Sequence, residues 1–187
     1  ANTVDFSGKR MNDLRFHAVP VDNAWAATIA SREMSGSLTW RPEGAGRVVA
    51  RLKHFTVPEV KPGPPRPEKP DTELPALDII ADSFTMGEHK LGRMELVALN
   101  VAGDWNIEKL TLTTGESQFS AKGVWENWAQ RPSVSLNMKL DISNLGVFLT
   151  RMGFPRTMSD GTAKLEGKIG WLGNPQSIHY PTLDGDI

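Results

Sequence analysis

The chain has 187 residues, enough for one domain or for a section of something longer. Hydrophobic residues make up 39%, and 21 Lys and Arg against 22 Asp and Glu leave a net charge of −1, which argues against nucleic acid, whose binding requires a basic surface. The absence of cysteine excludes a disulfide framework and a Cys-based zinc site, and no run approaches the roughly 20 apolar residues of a membrane-spanning helix.

Near the N-terminus Trp25, Ala27 and Ile29 alternate with small or polar residues, the pattern of a strand with one apolar face. A second strand follows at Met34–Trp40, closed by the turn Pro42-Glu43-Gly44. Residues 1–57 therefore read as one β segment. From Pro58 to Pro75 there are seven prolines with Lys61, Arg66, Glu68, Lys69, Asp71 and Glu73 between them. Such a stretch has almost nothing to bury and is expected to be a solvated, partly polyproline-II, flexible insert. A connector is the ordinary reading. An SH3-type ligand at Pro62-Gly63-Pro64-Pro65 is the sharper alternative. As a plain loop it should be replaceable by a short Gly/Ser linker at a cost of no more than about 1 kcal/mol.

Residues 76–187 read as a second β segment. Trp105 and Ile107, then Leu110 and Leu112, follow the turn Gly103-Asp104. Thr114-Gly115-Glu116 precedes Phe119–Trp125, and Gln130-Arg131-Pro132 precedes the faultless alternation of Ser133–Asp141. There Val134, Leu136, Met138 and Leu140 oppose Ser133, Ser135, Asn137, Lys139 and Asp141. Strict period-two alternation predicts antiparallel sheet with one apolar and one watered face. Between Ser143 and Gly153 the period changes: Leu145, Phe148, Leu149 and Met152 form a helical stripe. Ser143 is the expected N-cap, Gly153 the C′ residue, and Arg151 complements the last turn. So short a helix is not stable alone, and its apolar face must cover something, an end or flank of the β groove. After Ser159-Asp160-Gly161, Ala163, Leu165, Gly167, Ile169 and Trp171 alternate against Thr162, Lys164, Glu166 and Lys168.

One phrase recurs along this order. Met34-Ser35-Gly36-Ser37-Leu38-Thr39-Trp40 returns as Phe119-Ser120-Ala121-Lys122-Gly123-Val124-Trp125 and as Leu165-Glu166-Gly167-Lys168-Ile169-Gly170-Trp171. Its first, third and seventh residues share one face of a strand, so each copy sets a small residue beside a large flat wall. A repeated β unit is implied.

No catalytic constellation accompanies it. His17, His54, His89 and His179 are far apart, and His89 beside Glu88 falls short of a metal site. There is no nucleophile elbow and no phosphate-binding glycine loop. Asp184 and Asp186 flank a glycine, by default an exposed turn and at most a weak calcium site. No enzyme, cofactor or metal is predicted. What remains is the apolar face, which a second layer covers or a ligand occupies. A closed sandwich core and an open, curled sheet holding a lipid chain stand level on pattern alone. In the open reading Trp40, Trp125, Leu136, Met138, Leu140, Leu165, Ile169 and Trp171 line the groove.

The run Asp141–Pro155, with Leu145-Gly146-Val147-Phe148-Leu149 at its centre, resembles a helix-bearing segment of the YhdP-type proteins of Gram-negative bacteria. Gly161–Pro175 follows it as in that family, and Tyr180–Ile187 is similar to family sequence too. The resemblance covers about residues 95–187, extends less distinctly to 1–57, and omits the Pro-rich insert. YhdP-type proteins belong with the AsmA-like group, which includes TamB. The resemblance implies a long curled antiparallel β sheet with an apolar groove, reaching from an inner-membrane anchor across the periplasm. It also implies movement of phospholipid between the two membranes, with acyl chains as the partner of the groove. The chain has no signal peptide, begins abruptly at Ala1 and ends just after a strand-like run, and is expected to be a section of such a protein. A structural or assembly module of the envelope, with a closed β core and no lipid path, is the alternative.

Overall fold

The computed structural model describes residues 3–6, 9–58, 75–126, 132–173 and 179–186. Two short strands, β1 (Thr3–Phe6) and β2 (Lys9–Asn12), pair with each other alone. All later strands join one sheet: β3 (Arg15–Val21), β4 (Ala24–Ala30), β5 (Met34–Arg41), β6 (Arg47–Val57), β7 (Ala76–Met86), β8 (His89–Val101), β9 (Asp104–Thr113), β10 (Ser117–Glu126), β11 (Ser133–Ile142), β12 (Ala163–Leu172) and β13 (Asp184–Asp186). Their spatial order is their chain order. The sheet runs without branching from β3 to β13, eleven strands, and does not close into a barrel. At about 4.8 Å per strand it is roughly 48 Å long. The only α-helix among the described residues, α1 (Leu145–Arg151), interrupts the chain between β11 and β12.

Nine of the ten pairings are antiparallel, as the alternation predicts, and β6 with β7 is the parallel exception. Arg47 lies opposite Ala76, and Val57 opposite Met86. The chain between Val57 and Ala76 must therefore return along the full length of β6, about 33 Å at 3.3 Å per residue. The insert expected as a dispensable loop is the crossover that a parallel pair requires. A short linker cannot stand in for it. Residues 59–74 themselves lie outside the described residues, as does the polyproline expectation for them.

Four pairings contain register shifts, at Ser35/Gly36, Ala81/Phe84 and Phe84/Thr85, Val97/Ala98, and Ala121/Gly123. An extra residue on one strand bends and over-twists the ladder, which helps an eleven-stranded sheet curl. Gly36 is needed at the first shift. Its φ is +148°, and a Cβ there would sit 2.2 Å from the Arg51 carbonyl oxygen.

Helix α1 begins one residue later than the sequence implies. Asn144, not Ser143, is the N-cap, its Oδ1 accepting from Val147 N at 2.9 Å. Ser143 instead donates, through its backbone N and its Oγ, to the Glu116 carbonyl in the β9–β10 turn. That frees Asn144 for the cap. The C-terminal end is as expected. Gly153 takes φ +90°, Gly153 N donates to Thr150 O, and Phe154 N donates to Leu149 O, the paired bonds of a Schellman ending.

Candidate functional site

Cross-strand register turns the period-two pattern into rows. One row crosses all eleven strands through Pro20, Trp25, Trp40, Val48, Leu77, Ala98, Ile107, Gly123, Leu136, Ile169 and Gly185. The next passes through Ala18, Ala27, Leu38, Ala50, Ile79, Leu96, Leu110, Ala121, Met138 and Gly167. A third passes through Phe16, Ile29, Gly36, Leu52, Ala81, Met94, Leu112, Phe119, Leu140 and Leu165. None of these positions is polar or charged. The opposite face carries ion pairs, among them Arg51–Asp78 at 2.8 Å and Lys109–Glu95 at 2.6 Å. Glu95, held between Lys109 and Arg93, keeps its carboxyl below the usual carboxylate range.

Among the described residues no second sheet covers the rows, and α1 lies over them at one place, above Leu112, Phe119 and Leu140. Ala81 and Ala98 are nevertheless fully buried, and Val134 is 1% exposed. Burial without a covering layer means that neighbouring rows lean over one another. The apolar face is the inside of the curl, an apolar groove.

All eight residues expected from the sequence lie on this face. Trp125, Leu136 and Trp171 are buried. Met138, Leu140, Leu165 and Ile169 are half-buried, and Trp40 is partly exposed. The small third residue of the recurring phrase makes room for a large neighbour. Met138 is flanked by Ala121 and Gly167, and Gly36 by Ile29 and Leu52. The phrase occupies β5, β10 and β12, which run in the same direction because the single parallel step lies between the first two copies. One rim therefore gathers Trp25, Trp40, Trp105, Trp125 and Trp171. Trp128 lies outside the described residues. Trp105 and Trp125 meet edge to face with ring centroids 5.7 Å apart, and Trp105 Nε1 donates to Pro75 O at 2.9 Å. The ring of Trp40 rests on Gly46, where a Cβ would overlap it. The buried indole N–H of Trp125 has no hydrogen-bond partner among the described residues.

The other rim is capped at one place by α1. Arg151 Nε and Nη2 donate to the two carboxylate oxygens of Glu116, the Nη2 bond being 3.0 Å. The Glu116 side chain is 8% exposed, and its pairing with Arg151 holds its carboxyl below the usual range. The same bond raises the Arg151 pKa further. Leu145 N donates to Gly161 O at 2.8 Å, and Gly146 lies against the backbone of Met158 and Ser159 with no space for a Cβ. Beneath the helix is a partly open, apolar cavity of about 140 Å³, between Phe148 and Met152 above and Leu91, Leu112, Phe119 and Leu140 below. Thr114, Ser117 and Arg151 complete its wall.

A family model described as YhdP protein matches residues 1–187. The chain belongs to the YhdP family. No curated protein and no solved structure matches the chain. Family membership thus covers the N-terminal segment and the Pro-rich insert as well as the C-terminal motifs.

Sequence reading did not single out β3, β6, β7 or β8 as strands of the groove, and β7 and β8 show why. Leu77, Ile79, Ala81, Met94, Leu96 and Ala98 line it, but Ile80, Val97 and Leu99 place apolar residues on the other parity and hide the alternation. His54 is held by Ser35 Oγ at 2.9 Å and the Ser31 carbonyl oxygen, a structural contact. His17, His89 and His179 are exposed. No group of three potential metal ligands occurs among the described residues, and Asp184 and Asp186 lie exposed on the short terminal strand. No helix among the described residues is long and apolar enough to cross a membrane.

Proposed function

We propose that this chain is a section of a lipid-conducting β-groove protein. In that reading the full protein is anchored in the inner membrane, spans the periplasm and moves phospholipid between the inner and outer membranes. The observation that carries it is the set of three adjacent apolar rows, one crossing all eleven strands and two crossing ten, with no second sheet over them among the described residues and α1 over one end only. Hydrocarbon placed there leaves water on both sides of the contact. Each buried CH₂ contributes about 0.8 kcal/mol. With no polar side chain in the rows, a hydrocarbon chain meets apolar surface from one strand to the next and can slide. The work done is solvation rather than reaction, so no catalytic residue is invoked. Trp40, Trp125, Leu136, Met138, Leu140, Leu165, Ile169 and Trp171 are the lining residues in this account. An assembly module with a closed core needs a second layer over the same rows, and YhdP family membership favours the conduit.

The test is photo-crosslinking of a diazirine-labelled phospholipid to the purified protein, with melting temperature measured in parallel. Met138→Asp and Leu165→Asp place an unpartnered carboxylate against hydrocarbon, which is costly. Water reaches an open groove, so both variants should fold with a near-parental melt and lose crosslinking. If the parent takes up no lipid and either substitution destabilises by roughly 3 kcal/mol or more, these residues are ordinary core and the conduit reading fails.

A further inference from the structure

We infer that the cavity under α1 receives the methyl end of a single acyl chain, so that a lipid lies across the groove with its tail under the helix and its ester end at the tryptophan rim. This rests on the lipid-conducting reading. Two features at opposite rims support it. The cavity is lined almost wholly by Leu91, Leu112, Phe119, Leu140, Phe148 and Met152. Its volume of about 140 Å³ is close to that of the apolar cavities of about 150 Å³ that stay dry and accept benzene. It therefore holds the last few carbons of a hydrocarbon chain. It continues the groove, because Leu112, Phe119 and Leu140 belong to the third apolar row.

At the other rim, six residues along β10 from Phe119, Trp125 is nine-tenths buried and its indole N–H lacks an acceptor among the described residues. An ester carbonyl is an acceptor of the kind that donor lacks, and a buried donor left unpaired costs roughly 1–3 kcal/mol. Six residues of strand span about 20 Å. One leaflet of a bilayer, half of a hydrocarbon core of about 30 Å, is about 15 Å thick, so the span between the two rims is long enough to take one acyl chain. Helix α1, pinned by Arg151 to Glu116 and by Leu145 to Gly161, then acts as a fixed stop for the chain end.

The experiment uses the whole chain and two phosphatidylethanolamine probes, one with a diazirine next to the terminal methyl and one with it near the ester. Modified residues are mapped by mass spectrometry. The terminal probe should label Phe148, Met152 and Leu140, and the ester-proximal probe Trp105 and Trp125. Phe148→Trp fills the cavity from the helix side. It should cut terminal labelling under α1 at least tenfold while leaving labelling at the tryptophan rim within twofold. Leu91→Phe, which fills it from the sheet side, should do the same if the first variant melts early. Equal labelling of both rims by both probes would show that lipid lies along the groove, overturning this inference and leaving the conduit intact. Labelling nowhere in the groove would remove the conduit reading and this inference with it.

Discussion

Shortening the Pro-rich crossover tests the architecture most directly. The parallel register places Ala76 beside Arg47 and Met86 beside Val57. The connector must therefore span ten residue steps of β6, about 33 Å, before β7 can begin. The native connector of 18 residues, Pro58 to Pro75, reaches about 60 Å even at the 3.1 Å per residue of polyproline II. A six-residue Gly/Ser linker gives seven steps, about 25 Å at the limit of 3.6 Å each, and cannot close the gap. An 18-residue Gly/Ser linker closes it with slack to spare, at a change in loop-closure cost of under about 1 kcal/mol. With the short linker β6 and β7 cannot pair in register. Leu52, Ala81 and Phe84 then lose their common cluster, and Trp105 loses the Pro75 carbonyl to which it donates. Tryptophan fluorescence and thermal melting compare the three proteins. The long linker should melt within a few degrees of the parent, and the short one should lose the cooperative transition. A short-linker protein with a parental melt would refute the parallel pairing.

Three further outcomes follow from the packing. Gly123→Ala puts a Cβ 2.0 Å from the Ser135 carbonyl oxygen and 2.9 Å from Leu136 Cα, so β10 and β11 must separate, at about 1–3 kcal/mol by chemical denaturation. Gly115→Ala, with nothing within 4 Å of the new atom, is the control and should change stability by under about 0.5 kcal/mol. Arg151→Met leaves the buried Glu116 carboxylate without its bidentate partner. It should cost about 2–3 kcal/mol and raise proteolysis between Ser143 and Gly161. Because Glu116 has a folded pKa below its ordinary 4.5, the unfolded chain takes up its proton first as pH falls. The stabilisation is complete above about that value and is lost as pH drops through the lower, folded one. Melting temperature followed from pH 7 to pH 3 should fall more steeply for the parent than for Glu116→Gln, and equal slopes would remove Glu116 from the acid response.

How much of this was legible in the residues differs from element to element. Ser133–Asp141 alternates without a fault because one face of β11 meets the groove and the other meets water. Leu145, Phe148, Leu149 and Met152 repeat at helical spacing because α1 has one face over the sheet. Strands β7 and β8 were not legible. Their outer face is itself partly covered, so Ile80 and Val97 carry no polar signal. Asn144 as cap was equally hidden, since Ser143 is as good a capping residue until Glu116, 27 positions earlier, takes its hydroxyl.

The sequence by itself determined which side of each alternating strand is apolar and where the chain leaves the sheet for a helix. Both follow from nearest-neighbour geometry, a side-chain period of two in a strand and 3.6 in a helix. Only the tertiary structure decided that β6 and β7 run parallel, that five tryptophans therefore share one rim, and that α1 is held over the other by Glu116. Strand direction and partner choice depend on contacts between residues far apart in the chain. A hydrophobic period looks the same read from either end of a strand.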